Sequence, residues 1–469
     1  MASVERKKAV GRREFLRSAA AVGAGVLFLP RSVLGANAPS KKLNVAFVGT
    51  WGRAHAHFGA IRGENVVALC DIDENHLASG AKRFPKAQKY VDWRKMLEQK
   101  DINAVICSST DHTHAFVANW ALNRDMHVYC EKPLGNSVEE CRVVRANYLK
   151  RKDKVATQVG TQRHQIENFN RVRELVLDGA IGELKAAYAW GNRQIRRKGY
   201  LPAQGEPPKH LHYDLWIGPS PFHPYNPGYF KGGPGANCLS WNMYWDFGCG
   251  QVGDMGSHTM DLAWCALDAD LPTTAEGEAY PAGSPEATGG RSRGKRTKPI
   301  PPHPEVSPVE LHTSWDIPAN AQRPAIRLHW YQGGMMPRSP RKYVDLKRIG
   351  HGAMFKGSNG FIIADFGSRI IIPFGSRDDM TYYKPRAKDK VLPPLGHFQK
   401  EWVNACKGDL KTTCNFDYGG KLIETMLLGV VAYRVGKKLT YDAKAGTTND
   451  DQANALLSRK YRKGWTLDG

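Results

Sequence analysis

The sequence lacks the signatures of several protein classes. Its nine cysteines include no C-x-x-C pair and are odd in number, so the chain shows neither a complete disulfide framework nor the ligand spacing of a zinc site, and we expect no metal. No apolar run reaches the roughly 20 residues that cross a bilayer. No internal repeat or nucleic-acid-binding motif is present. The 469 residues, 41% hydrophobic and 24% charged, instead predict a globular protein of two domains.

The N-terminus has the pattern of an export signal. A basic start leads to GRREFLR at residues 11–17 and then to an apolar run at 19–29, which resembles a twin-arginine signal. We therefore predict a signal peptide at 1–38, recognition by the Tat machinery and a periplasmic location. This segment carries seven Lys/Arg and two Asp/Glu, so its removal lowers the formal net charge from +22 to +17. We interpret the remaining charge as solvated loops, with attraction to an anionic polysaccharide as the alternative, and we expect no nucleic-acid partner.

The alternation of apolar runs predicts an α/β fold. Strand-length runs end at Gly49, Asp71, Cys107 and Cys130, with helix-length segments between them, as in a parallel sheet with crossover helices. From about residue 160, longer aromatic segments with alternating polarity predict a large, mostly antiparallel open sheet. The predicted domains are a dinucleotide-binding Rossmann domain at 41–160 and an α/β substrate domain at 161–469, with an insertion without regular structure near 281–308.

The turn after the first strand predicts a nucleotide site. It reads GTWGRA at residues 49–54, an incomplete G-x-G-x-x-G match because Trp51 stands at the second glycine. Asp71 closes the second strand, where a carboxylate accepts hydrogen bonds from both ribose hydroxyls of NAD. NAD is therefore the expected cofactor. Arg53 keeps NADP as an alternative, because it could meet a 2′-phosphate.

Two strand ends and one later segment carry groups suited to proton transfer. The third strand leads into residues 108–114 and the fourth into Glu131-Lys132-Pro133, and the carboxyl ends of parallel strands line the ligand crevice. Asp254 and His258 are four residues apart and share a face if the segment is helical. We predict that Asp254 orients or charges His258, that His258 takes a hydroxyl proton and that Lys132 polarises the substrate oxygen. The sequence leaves open whether His258 or Lys132 is the principal base.

Four motifs occur together in a specific order. They are DHTH at 111–114, EKP at 131–133, VGTQR at 159–163 and GDMGSH at 253–258. With this order and spacing, the chain resembles the Gfo/Idh/MocA oxidoreductase family over roughly residues 41–442. The resemblance implies catalytic positions at Lys132, Asp254 and His258. The residues expected at the cofactor are Gly49, Trp51, Gly52, Arg53, Asp71, Ser109, Thr110, His112, His114, Glu131, Lys132 and Gln162. Those expected at the substrate are Arg163, His164, Trp241, Asp254 and His258.

The resemblance implies an NAD(P)-dependent oxidoreductase acting on CH-OH groups. Hydride would pass between a hydroxyl carbon of a small carbohydrate (a sugar, a sugar derivative or inositol) and a tightly held nicotinamide cofactor. Two alternatives stay open: a redox-neutral NAD-dependent glycoside hydrolase or lyase that acts through a transient keto-sugar, and a noncatalytic ligand-binding member of the fold. Because the second sheet is expected to be open and hydrophobic, we also predict a homo-oligomer, either a dimer or a tetramer.

Overall fold

The computed structural model describes residues 42–281, 283–285, 297–340, 344–375 and 386–469. The predicted signal peptide and part of the predicted insertion lie outside the described residues. Residues 297–303 of that insertion have no regular secondary structure. Within the described ranges, no helix combines the length and the apolar character needed to cross a membrane.

The first sheet has six parallel strands in the order β3-β2-β1-β4-β5-β6. The order reverses between β1 and β4, which is the position where open α/β sheets bind ligands. The prediction of a parallel sheet is confirmed. Its elements are β1 (Asn44–Val48), β2 (Asn65–Cys70), α1 (Glu74–Arg83), β3 (Gln88–Tyr90), α2 (Trp93–Met96), β4 (Ala104–Cys107), α3 (Asp111–Asn123), β5 (His127–Cys130), α4 (Val138–Arg151) and β6 (Thr157–Val159).

Both faces of this sheet are covered, which explains why its strands are continuous apolar runs. Val105 and Cys107 of β4 pack in the cluster that contains α3 and α4. Ala104 and Ile106 of the same strand pack in a second cluster with Trp402. Trp402 belongs to α8 (Phe398–Lys407), so a helix from the last quarter of the chain covers one face of the first sheet.

The second sheet has nine strands in the order β13-β12-β11-β7-β10-β9-β8-β14-β15. Of the strand pairs described, only β7 and β10 run parallel, so the predicted mostly antiparallel sheet is confirmed. Its strands are β7 (Leu184–Gly191), β8 (Thr274–Glu278), β9 (Leu311–Ile317), β10 (Ile326–Gln332), β11 (His351–Gly357), β12 (Gly360–Ala364), β13 (Arg369–Pro373), β14 (Leu439–Asp442) and β15 (Thr447–Thr448).

Helices of the second part pack against this sheet and against the first one. The remaining helices are α5 (Glu167–Leu177), α6 (Tyr213–Ile217), α7 (Ser257–Leu267), α9 (Phe416–Val435) and α10 (Asp451–Leu456). The long helix α9 begins after Asn415, whose side chain accepts from two backbone N–H groups, and ends at Gly436 in the left-handed conformation. A π-helical turn, Val252–Gly256, leads directly into α7. Turns of this kind are frequent at functional sites.

Candidate active site

Lys132 and Asp254 form the contact that joins the two halves of the site. Lys132 follows β5 at the carboxyl edge of the first sheet, and Asp254 lies in the π-helical turn before α7. The Lys132 Nζ lies 2.5 Å from Asp254 Oδ1, and Arg193 Nη1 donates to Asp254 Oδ2 at 2.7 Å. The Asp254 side chain is 5% exposed. Lys132 and Arg193 hold the pKa of Asp254 below its usual value, and Asp254 raises the pKa of Lys132 despite burial.

His258 lies beside this pair in the first turn of α7. Its Nδ1 is buried without a hydrogen-bond partner among the described residues. Burial and the positive charge of Lys132 lower the pKa of His258 to about 3, so the imidazole is neutral near neutral pH. Asp254 was predicted to orient or charge His258, but its two oxygens accept from Lys132 and Arg193, and no hydrogen bond joins it to His258 among the described residues. Asp254 influences His258 only through its charge.

Glu131, the residue before Lys132, fixes the loop after β5 through contacts of its carboxylate. Its Oε1 accepts from Arg53 Nε at 2.9 Å and lies 2.9 Å from His57 Nε2. Burial opposes ionisation of Glu131, but the interactions with Arg53 and His57 favour it and outweigh burial, and Arg53 contributes most among them. The pKa of Glu131 therefore falls to about 2. Gly160 packs against this carboxylate, since a Cβ there would lie 2.3 Å from Glu131 Oε2. Arg53 thus pairs with Glu131 through Nε, while its Nη2 has no hydrogen-bond partner among the described residues.

A cleft runs along the carboxyl ends of β1, β2 and β4. Gly49 has φ +82°, and an added Cβ would lie 2.7 Å from the Ser108 carbonyl oxygen, so this turn requires glycine. Gly52, next to the cleft, also has positive φ, at +61°. Trp51 lies flat on His76, with ring centroids 4.5 Å apart, and does not fill the cleft. Of the predicted cofactor residues, those that line the cleft are Gly49, Trp51, Asp71, Ser109 and Thr110.

Asp71 closes this cleft at the end of β2. Its Oδ2 accepts from the backbone N–H of Thr50 at 2.8 Å and from the Thr50 hydroxyl at 3.0 Å, and its Oδ1 accepts from the Asp73 N–H. Burial raises the pKa of Asp71, and these hydrogen bonds oppose that rise. The carboxylate is therefore fixed in position at the place that the sequence predicted for ribose recognition.

An aromatic roof from the second part of the chain covers the cleft. It consists of Trp216, Tyr229, Phe230 and Trp241, which line the cleft opposite the strand ends. The chain just before the roof is hydrogen-bonded to the residues between β2 and the start of α1: the His212 N–H donates to the Ile72 carbonyl and the Glu74 N–H donates to the His210 carbonyl, each at 2.9 Å. Trp241, which was predicted at the substrate, lines the same cleft as the residues expected at the cofactor.

His112 and His114 hold loops in place, and their positions differ from the predicted contact with the cofactor. His112 is fully buried with Nε2 2.8 Å from the Trp216 carbonyl, so it ties α3 to the roof. His114 lies between the carbonyls of Pro133 and Ser109, at 2.7 and 3.1 Å. Loops that leave buried carbonyls unpaired need internal donors, and these imidazoles supply them.

Gln162, Arg163 and His164 were also predicted at the cofactor or the substrate, and they lie in different surroundings. Gln162 Oε1 is buried without a partner among the described residues. Arg163 is exposed and stacks on Phe366, with Cζ 4.6 Å from the ring centroid. His164 differs from its predicted substrate role, because its Nδ1 lies 2.9 Å from the fully buried Asp261 and its Nε2 faces the thiol of Cys265.

Three residues that the sequence reasoning did not select lie in this site. Arg193 binds Asp254, His351 has a buried Nδ1 with no partner in the described part of the chain, and Asp111 lies close enough to Lys132 for their charges to interact. Burial raises the pKa of Asp111 to about 7. Arg193 follows β7 by two residues, and His351 begins β11. The strand-end rule would have found Arg193 had it also been applied to the second sheet.

Comparisons with known proteins agree with this architecture. Residues 43–161 match a family model described as the oxidoreductase family, NAD-binding Rossmann fold, and residues 157–289 match its C-terminal alpha/beta domain. Inositol 2-dehydrogenase of Salmonella typhimurium is 29% identical over 146 residues, which cover 30% of this chain and 43% of that enzyme. Glycosyl hydrolase family 109 protein 1 of Shewanella sp. is 28% identical over 234 residues, which cover 40% of this chain and 49% of that protein. The chain thus matches less than half the length of either relative.

A solved structure has the same fold. The WlbA dehydrogenase from Bordetella pertussis, in complex with NADH and UDP-GlcNAcA, aligns with a TM-score of 0.56 over 86% of this chain and 98% of that chain, at 14% identity. The cleft fits such a dinucleotide on its own evidence: glycine is required at residue 49, and a fixed carboxylate stands at Asp71.

Proposed function

Since the chain belongs to the Gfo/Idh/MocA oxidoreductase family and has an NAD-binding Rossmann domain, we propose that it oxidises or reduces a hydroxyl carbon of a small carbohydrate with a tightly held nicotinamide cofactor. The observation that carries the proposal is the contact of Lys132 with Asp254 beside the neutral His258. Ammonium, carboxylate and imidazole groups meet where the carboxyl edge of the nucleotide-binding sheet faces the second part of the chain.

Each of the three groups has a defined task in this proposal. The Lys132 ammonium donates a hydrogen bond to the substrate oxygen and stabilises negative charge that develops on it. Asp254 holds that ammonium in place and keeps it protonated. His258 has a free, buried Nδ1 lone pair when the proton is on Nε2, and this lone pair accepts the hydroxyl proton. Bound NAD supplies the hydride acceptor.

The aromatic roof supports tight retention of the nucleotide. Trp216, Tyr229, Phe230 and Trp241 line the cleft together with the strand ends, and the chain that leads to the roof is hydrogen-bonded to the segment between β2 and α1. Asp71 at the cleft favours NAD, since a fixed carboxylate repels a 2′-phosphate.

Native mass spectrometry of freshly purified protein tests the retention. We expect one NAD per chain, and addition of sugars and inositols to this protein should change the absorbance of the nicotinamide. A protein that purifies without nucleotide, binds none when NAD is added and acts on none of these compounds would refute the proposal and favour a noncatalytic ligand-binding role. We further propose that the protein is exported through residues 1–38, which fractionation of cells and N-terminal sequencing of the mature protein would test.

A redox-neutral glycoside hydrolase or lyase is the second candidate. The observation in its favour is the similarity to a glycosyl hydrolase family 109 protein over 234 residues. In this reaction the sugar is oxidised transiently, and the C–H next to the ketone loses its proton as the glycosidic substituent leaves with its bonding electrons. A hydrolase then adds water to the resulting double bond, whereas a lyase keeps it, and return of the hydride reduces the ketone again. Release of the aglycone from a chromogenic glycoside without added NAD would favour this function. Net formation of a keto-sugar would favour the first one.

A further inference from the structure

Positive charge exceeds negative charge around the reacting groups. Lys132, Arg193 and Arg163 are cations, and Asp254 is the carboxylate that two of them contact. Arg163 lies close enough to lower the pKa of both His258 and His351, and Arg193 contributes at His351 as well. These side chains therefore form one group of interacting charges.

The other nearby carboxylates do not balance these cations. Glu131 is held by Arg53 and His57. Asp111 is fully buried, and His114 is the first of the charges that favour its ionised form. Burial raises the pKa of Asp111 to about 7, so near neutral pH it offsets the charge of Lys132 only in part. Lys132, Arg163 and Arg193 are then three cations beside Asp254, which is the one carboxylate that contacts two of them.

Arg163 and Arg193 both have guanidinium N–H groups without an acceptor among the described residues. Arg163 has no hydrogen-bond acceptor among the described residues, and its contact is the stack on Phe366, which fixes the plane of the guanidinium and leaves its N–H edge free. Arg193 gives only Nη1 to Asp254 in the described part of the chain, and its side chain is 39% exposed. A guanidinium edge matches the paired oxygens of an oxyanion.

Buried ring nitrogens complete the same region. His351 Nδ1 and His258 Nδ1 have no partner within the described ranges. The His351 ring lies against Gly191, where an added Cβ would be 3.1 Å from Nδ1, and 6.3 Å from the Phe366 ring that carries Arg163. A buried polar atom without a partner costs free energy unless a ligand or water satisfies it, so the region is built to receive a polar group.

We propose that the carbohydrate substrate carries an oxyanion substituent, such as a carboxylate, sulfate or phosphate, which Arg163 and Arg193 bind while the reacting hydroxyl faces Lys132 and His258. This inference rests on the proposed function, since it names the substrate class of the same site. Arg163 follows β6 of the first sheet and Arg193 follows β7 of the second. An anion between them also fixes the position of the sugar ring relative to both sheets.

The test compares charged and neutral sugars on the protein with its bound nucleotide. Equilibrium binding and kcat/KM are measured for hexuronates, hexose 6-sulfates and hexose 6-phosphates against the matching neutral hexoses, each in several ring configurations. The variants are Arg163→Gln and Arg193→Gln, with Arg348→Gln as the control because Arg348 is exposed and lies outside the cluster.

We expect one anionic class to bind at least about tenfold more tightly than its neutral counterpart. Arg163→Gln should remove most of this preference, and Arg348→Gln should leave the preference and the binding of the neutral sugar unchanged. The three anionic series distinguish carboxylate from sulfate and phosphate. The inference is wrong if neutral sugars bind as tightly as every anionic series, or if Arg163→Gln and Arg193→Gln leave the preference intact.

Binding and turnover separate this inference from the proposed function. If anionic sugars bind through the arginines and neither they nor neutral sugars react, the proposed function fails and the anion site stands. If neutral sugars react with the wild-type protein, and every anionic series binds to and reacts with both arginine variants as it does with wild type, the proposed function stands and the anion site is refuted.

Discussion

Replacing Asp254 by asparagine tests the geometry of the site most sharply. The substitution keeps the shape of the side chain and removes the charge that Lys132 and Arg193 contact at 2.5 and 2.7 Å. The side chains of Lys132 and Asp254 are 16% and 5% exposed, so solvent screens their interaction little. A hydrogen bond to a charged group contributes about 1.5–3 kcal/mol to stability. Arg193 is 39% exposed, which limits its contribution to about 1 kcal/mol or less.

These contributions predict a loss of about 2–3 kcal/mol in unfolding free energy, because the amide oxygen of asparagine still accepts one weaker hydrogen bond. The Lys132 ammonium also loses the group that holds it against the substrate oxygen. A displacement of about 1 Å in a positioned group costs roughly a hundredfold in rate, so kcat/KM should fall by about that factor.

The assay is hydride transfer followed through the nicotinamide absorbance, with thermal unfolding of the same samples. Asp417→Asn is the matched control: Asp417 accepts from Arg145 at 2.6 Å, and its side chain is 36% exposed. It should cost about 1 kcal/mol or less and leave kcat/KM unchanged. An Asp254→Asn enzyme that folds and works like wild type would show that this carboxylate is not part of the reacting centre.

Three further predictions follow from pKa values and packing. His258 has its pKa lowered to about 3, so it stays unprotonated as the pH falls, and the acid limb of a kcat/KM profile should lie below about pH 5; a limb near pH 6.5 would contradict this. Glu131→Gln removes the acceptor shared by Arg53 and His57 and should lower stability in a urea titration by about 2 kcal/mol, whereas no change would mean that the buried contacts are unimportant. Trp216→Ala opens the roof, so nucleotide should be lost during gel filtration, and full retention would refute the role of the roof.

The strands and the cleft were predictable because their signals are local. Residues 104–107 are apolar throughout, since helices cover both faces of the first sheet. A glycine at residue 49 and an acid at residue 71 follow from the geometry of a strand-end nucleotide site. The resemblance to a known family then indicated which strand-end groups belong to the reaction, and the structure places Lys132 and Asp254 in direct contact.

The partner of Asp254 was not predictable from spacing. A carboxylate four residues before a histidine suggests a local pair, but Lys132 and Arg193 come from 122 and 61 residues away. A buried carboxylate pairs with permanent cations in preference to a neutral imidazole, because their charges offset its desolvation. His164 shows the same limit, since its partner Asp261 lies 97 residues further along the chain.

Transfer of a labelled hydrogen tests the central claim most directly. Sugars and inositols deuterated at their hydroxyl carbons are incubated with the purified protein. The nucleotide is then extracted, and its deuterium content is measured by mass spectrometry. The account predicts deuterium in the nucleotide with the wild-type protein, and none above background with Lys132→Met or His258→Leu proteins that still retain nucleotide. Deuterium transfer at the wild-type level in both variants would contradict it.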